Sequence, residues 1–231
     1  MDEPEPSGHP RPAREAFAEF LGTGLLLVAI VGSGIAAQRL TADVGLQLLI
    51  NAAVTGAALA ALIATFAGVS GAHFNPVVTL VAALDGVVAW SRAGVHWAVQ
   101  LMGAVVGAVA ANLMFSLPWV TESATIRSGA GRSLGEVVAT FGLVIVIIGV
   151  RRRGRTEMMP WAIGAYVFAA IFFTSSASFA NPAVTVGRTL SASFTGIAPS
   201  SAPLFILAQF AGGLLALLAG RLVFGLERTN A

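Results

Sequence analysis

Apolar runs alternate with short polar connections along this chain. Six runs are long enough to cross a membrane as helices, each with at most one charged residue: roughly 17–37, 46–66, 94–115, 133–150, 160–176 and 203–224. A hydrocarbon core about 30 Å thick needs about 20 helical residues, and the fourth and fifth runs are short but within tolerance. No alternating strand pattern appears, and a backbone in lipid must satisfy its own polar groups, so helices are the expected spans. Two shorter apolar segments stand apart, each opened by Asn-Pro: Asn75-Pro76-Val77-Val78-Thr79 and Asn181-Pro182-Ala183-Val184-Thr185. Asparagine is a favoured helix N-cap and proline a favoured first helical residue, so each segment reads as a helix with an abrupt start. Seven to ten residues at 1.5 Å each reach about 10–15 Å, half a bilayer. The expected fold class is an all-α membrane protein with six transmembrane helices and two half-membrane helices.

Composition agrees. Of 231 residues, 56 % are hydrophobic and 10 % charged, against about 25 % charged in soluble domains. Cysteine is absent, which excludes disulfides and thiolate metal sites. The 13 basic residues are all arginine, and none forms a basic stripe interleaved with aromatics, so nucleic acid is not an expected partner. Residues 1–16 are polar and proline-rich without the order of a cleaved signal, and read as a disordered cytoplasmic tail. Residues 225–231 form a second short tail. The run Arg151, Arg152, Arg153, Arg155 marks the fourth-to-fifth connection as cytoplasmic, which places both termini inside, with Arg11, Arg14, Arg221 and Arg228 in accord and Arg127 and Arg132 against. The Asn75 segment then enters from the cytoplasm and the Asn181 segment from outside. Trp90, Trp97, Trp119 and Trp161 lie near span ends and read as interfacial anchors, as does His96.

Landmarks repeat between residues 17–115 and 133–224. Glu19 recurs as Glu136, Asn75-Pro76 as Asn181-Pro182, and Gln100 as Gln209, in the same order. Three spans per repeat invert the second relative to the first, and inverted repeats place the site at the midplane between broken helices. On Ser70-Gly71-Ala72-His73-Phe74-Asn75-Pro76-Val77-Val78-Thr79, on Ser178-Phe179-Ala180-Asn181-Pro182-Ala183 and on the two span-opening glutamates, residues 15–224 resemble the aquaporin and aquaglyceroporin family of major intrinsic proteins. Val77 departs mildly from the family's usual alanine.

Each capping asparagine has an acceptor for the helix and an NH2 to donate into a lumen. Two positive helix ends aimed at one point repel cations and protons. Asn75, Pro76, Val77, Asn181, Pro182 and Ala183 are therefore the expected pore centre; the plain alternative is that Asn-Pro starts two ordinary buried helices. Glu19 and Glu136 are the only acids in the spans. They are expected to brace the loops by accepting N–H bonds, with His73 packing the loop beside them; the rival role is proton carriage in a coupled transporter.

The resemblance also implies a four-residue filter. The position after the second triplet, nearly always arginine in the family, is Val184 here. Ungapped transfer of the other three gives Thr55, Ser178 and Ala169, with Tyr166 as the substitute for Ala169. Such a filter is wide and uncharged. Arg188, one turn beyond Val184, reads first as a ligand of headgroups or of the half-helix carboxyl end, and second as a residue reaching back toward the filter. Valine in place of arginine is similar to a bacterial branch associated with arsenic resistance. The resemblance implies a homotetramer in the inner membrane that passes water and small neutral solutes, including neutral arsenite or methylated arsenicals. Alternatives are a glycerol or polyol facilitator and, from another class, a proton-coupled transporter. No cofactor is expected, and no enzyme motif is present.

Overall fold

The computed structural model describes residues 12–225, and among them all regular structure is helical. Eight α-helices follow in order: α1 Pro12–Leu40, α2 Val44–Ser70, α3 Pro76–Leu84, α4 Trp90–Met114, α5 Ala130–Arg152, α6 Met159–Phe173, α7 Pro182–Arg188 and α8 Ala202–Phe224, with a 3-10 turn Thr156–Met158 before α6. Six elements are long and apolar enough to cross a membrane. The 9 residues of α3 and 7 of α7 span about 14 Å and 10 Å.

Several boundaries differ from the sequence reading. Residues 12–16, expected in the disordered tail, form the first turn of α1. Pro12 suits an opening turn, and Glu15 is buried and ion-paired to Arg92 of α4 at 3.2 Å. Residues 1–11 and 226–231, with Arg11, Arg228 and most of both expected tails, lie outside the described residues. The fifth span ends at Phe173 rather than at 176, because Thr174 turns extended while its hydroxyl donates to the Ala170 carbonyl at 2.7 Å. Trp97 donates its indole N–H to the Pro76 carbonyl, 3.0 Å away. His96 is buried, with its ring edge-on to that of His73.

Glycine sets how closely the spans approach. A β-carbon at Gly103 would collide with the Phe20 carbonyl, and one at Gly107 with that of Gly24, so α1 and α4 cross with backbones touching. Gly212 plays the same part against Val137 where α8 crosses α5. The halves meet through α2 and α6, where a β-carbon at Gly56 would lie 2.8 Å from the Gly164 carbonyl and one at Gly164 2.6 Å from the Gly56 carbonyl. In lipid, where burial of apolar surface gives helices no reason to associate, this packing supplies the attraction. Gly103→Leu is therefore expected to cost more than the about 1–3 kcal/mol of ordinary overpacking, because backbone must move. Yield of monodisperse protein and thermal stability in detergent check this.

Candidate functional site

The two half-helices begin against each other. Asn75 and Asn181 are extended N-caps. Asn75 Oδ1 accepts from the Val77 N–H at 2.9 Å, and Asn181 Oδ1 from Ala183 at 2.9 Å and Val184 at 3.2 Å. Their amides then cross the gap: Asn75 Nδ2 donates to the Ala180 carbonyl and Asn181 Nδ2 to the Phe74 carbonyl, both at 2.7 Å. The sequence reading left each NH2 wholly free. Instead one N–H of each amide ties the loops together, and the second is what each has left to offer. Both asparagines line one cavity.

The approach loops are held in costly conformations. Ala72 and Phe74 before the first tip, and Ala177, Ser178 and Ala180 before the second, all have positive φ between 44° and 59°. Such residues cost about 1–3 kcal/mol each unless the surroundings fix them. Two fully buried carboxylates do so. Glu19 accepts from Ser70 Oγ (2.7 Å), the His73 N–H (2.9 Å), the Phe74 N–H (2.7 Å) and Gln100 Nε2 (2.7 Å). Glu136 accepts from the Phe179 N–H (2.8 Å), the Ala180 N–H (2.9 Å) and Gln209 Nε2 (2.6 Å). Each glutamine also reaches a half-helix threonine, Gln100 to Thr79 and Gln209 to Thr185. The repeated landmarks thus form one brace made twice. Neither glutamate lines the cavity. His73 adds a side-chain contact to Thr79 Oγ1 at 3.1 Å and also faces the cavity.

The cavity, about 210 Å³, is lined by the asparagine pair and also by Arg188, the last residue of α7, and Arg151, in the last turn of α5. A water occupies about 30 Å³ in the liquid, so there is room for several waters or a small solute. Pro76, Pro182, Val77 and Ala183, expected at its centre, do not line it. Val77 packs with Val81, Val144 and Leu217, and Ala183 sits in the main core. The lumen is faced instead by the next residue of each half, Val78 and Val184.

Of the four expected filter positions, Thr55, Ser178 and Val184 face the cavity and Ala169 does not. Ala169 is exposed on the outer side of α6. Tyr166, its substitute, turns to α5 and donates to the Ala139 carbonyl at 3.2 Å. The face of α6 that lines the cavity is a ladder with a spacing of four: Met159, Ile163, Val167 and Ile171. Ile171 stands nearest the end of the helix that leads to Ser178 and is the residue the count missed. Thr55 Oγ1 and Ser178 Oγ are buried hydroxyl oxygens with no protein partner, so two cavity-lining residues near Val184 hold unused hydroxyls beside hydrocarbon.

Arg188 does not extend into headgroups. It is 5 % exposed, its Nε donates to the Thr195 carbonyl, and its guanidinium carbon lies 3.3 Å from the centroid of Phe179. Arg127 flanks the same ring at 5.2 Å and is anchored by the Gly196 and Phe194 carbonyls. Sequence reasoning missed Phe179 as the platform for both.

The family model described as "Major intrinsic protein" matches residues 8–180. The aquaglyceroporin AqpS of Rhizobium meliloti (strain 1021) is 46 % identical over 204 residues, 88 % of this chain and 87 % of that protein. The probable aquaporin TIP2-2 of Oryza sativa subsp. japonica is 34 % identical over 182 residues, 74 % and 72 % of the two chains. In fold, the chain is similar to the X-ray structure of the aquaglyceroporin from Plasmodium falciparum, with a TM-score of 0.71 at 22 % identity over 90 % of this chain and 95 % of that one.

Proposed function

The chain belongs to the major intrinsic protein family, a family of membrane channels for water and small solutes, and from that premise we propose that it passes small uncharged hydroxylated solutes as well as water. The observation that carries this is the wall facing the second half-helix: Thr55 and Ser178 hydroxyls beside Val184 and Ile171, where the family resemblance leads one to expect an arginine. Arginine brings bulk, charge and fixed donors. Valine brings none, so the passage is wider, and its polarity comes from the unpartnered Thr55 and Ser178 hydroxyls, which must rotate out of the wall to meet a passing OH group. The second amide hydrogens of Asn75 and Asn181 serve the same solute at the centre. The Arg188 guanidinium, fixed against Phe179 one turn further out, keeps a positive charge on the wall.

Glycerol and neutral arsenite both fit this chemistry, and similarity to a relative named an aquaglyceroporin supports the polyol reading. This proposal includes a homotetramer in the plasma membrane with the Arg151 end facing the cytoplasm, supported by the family resemblance and by the arginine run at 151–155. Coupled transport by Glu19 or Glu136 is disfavoured, because each carboxylate is already filled with donors and faces away from the cavity. Uptake by proteoliposomes at pH 7 tests the solute class. Glycerol and uncharged arsenite are expected to equilibrate, and anionic arsenate to stay outside. Entry of water alone overturns the wide-filter reading.

A further inference from the structure

Among the described residues only two with a formal charge at neutral pH line the cavity, one at the far end of each half-helix: Arg188, the last residue of α7, and Arg151, ion-paired to Asp85 just past α3. No acidic side chain among the described residues lines it. Arg188 belongs to the filter region already described. Arg151 closes α5, and its position is set by a cluster at the opposite mouth. Asp85 caps the carboxyl end of α3 with a side chain 3 % exposed, and its Oδ2 receives Arg151 and, at 3.0 Å, Arg152. Arg221 of α8 approaches Asp85 Oδ1 at 3.6 Å and donates to the Leu84 carbonyl at 2.8 Å.

Three guanidiniums against one carboxylate leave two net positive charges at this mouth. A helix carboxyl end is a favourable place for cations and a poor one for an acid. Asp85 is tolerable there because it is multiply paired, and a buried carboxylate that holds three arginines from two other helices fixes their direction. Of the three, Arg151 alone reaches the cavity wall. A fixed positive charge in a passage with low-dielectric walls raises the energy of every cation that approaches, protons included.

We propose that Arg151 is a second cation barrier at this mouth and that Asp85 is the positioning residue that holds it on the cavity wall. The arrangement compensates for the missing arginine at position 184: exclusion is shared between the half-helix tips and two guanidiniums at opposite ends. The proposal rests on the cavity being the conduction path. Arg152 belongs to the same cluster but not to the wall, which separates a barrier role from a merely structural one.

The test uses the full chain in vesicles, with proton leak read by an entrapped pH dye under an imposed potassium-diffusion potential, and water flux read by stopped flow on the same preparation. Arg151→Gln is expected to raise proton leak per unit of water flux by about tenfold, as removal of a charged barrier should. Arg151→Lys is expected to stay near wild type. Asp85→Asn should leak as Arg151→Gln does, Asp85→Glu should restore exclusion, and Arg152→Gln should not leak. If Arg151→Gln yields no water flux, the double variant Asp85→Asn with Arg151→Gln, which removes both members of the pair, is read the same way. Normal water flux with unchanged leak in the Arg151 variants overturns the barrier, as does an equal leak from Arg152→Gln. Absence of wild-type water flux would instead overturn the channel reading beneath it.

Discussion

Val184→Arg is expected to cut glycerol permeability by about tenfold or more, equivalent to about 1.4 kcal/mol of added barrier, while water permeability falls far less. Val184 is 2 % exposed and faces the cavity beside Thr55 and Ser178. A guanidinium there fills space a three-carbon solute needs, and its donors still serve water. Arg188 already lies one turn away on the same wall, so the new side chain is pushed by like charge toward the lumen rather than back along the helix. Stopped-flow light scattering with both solutes on one vesicle preparation makes the comparison internal. Equal losses for water and glycerol would mean general damage, and no loss of glycerol flux would remove Val184 from the selectivity of the passage.

Glu136→Leu is expected to abolish the folded channel. It removes the acceptor of three buried donors, the Phe179 and Ala180 N–H groups and Gln209 Nε2. At about 1–3 kcal/mol for each orphaned donor, the loss is a large part of a typical stability of about 5–15 kcal/mol. It also releases Ser178 and Ala180 from positive φ, so the second tip would lose the geometry that lets Asn75 bond the Ala180 carbonyl. Glu136→Gln, which keeps an acceptor oxygen, is expected to be milder. Detergent-solubilised yield and thermal stability read the difference. A stable, conducting Glu136→Leu protein would show that the brace is dispensable.

The parts of the site set by local chemistry were legible in the sequence. Asn-Pro favours a capped helix start, and the repeated glutamates pointed to the brace, whereas Gln100 and Gln209, legible only as repeat landmarks, join it through contacts the sequence does not display. The α6 face was not legible. That helix is apolar all round, so residues toward the lumen and toward lipid are chemically alike, and an ungapped count from Asn181 landed on Ala169 instead of Ile171. The spacing-of-four ladder on α2 through Asn51, Thr55, Leu59 and Ile63 has its counterpart on α6, and matching the two ladders would have found the position. Val78 was missed for a simpler reason: the residue after the proline turns into the protein and the following one turns out of it. Arg151 read only as a marker of orientation, because its partner Asp85 lies 66 positions away, beyond any local pattern.

Two half-helix tips, tied by the Asn75 and Asn181 amides, are proposed to border a passage that uncharged solutes cross unaided. The most direct test is stopped-flow permeability to water and glycerol in proteoliposomes of the purified protein, with ionophores abolishing every ion and proton gradient. Both permeabilities should exceed those of protein-free vesicles and persist unchanged when the gradients are collapsed. Permeability no greater than that of bare lipid, or flux that vanishes with the proton gradient, would contradict it.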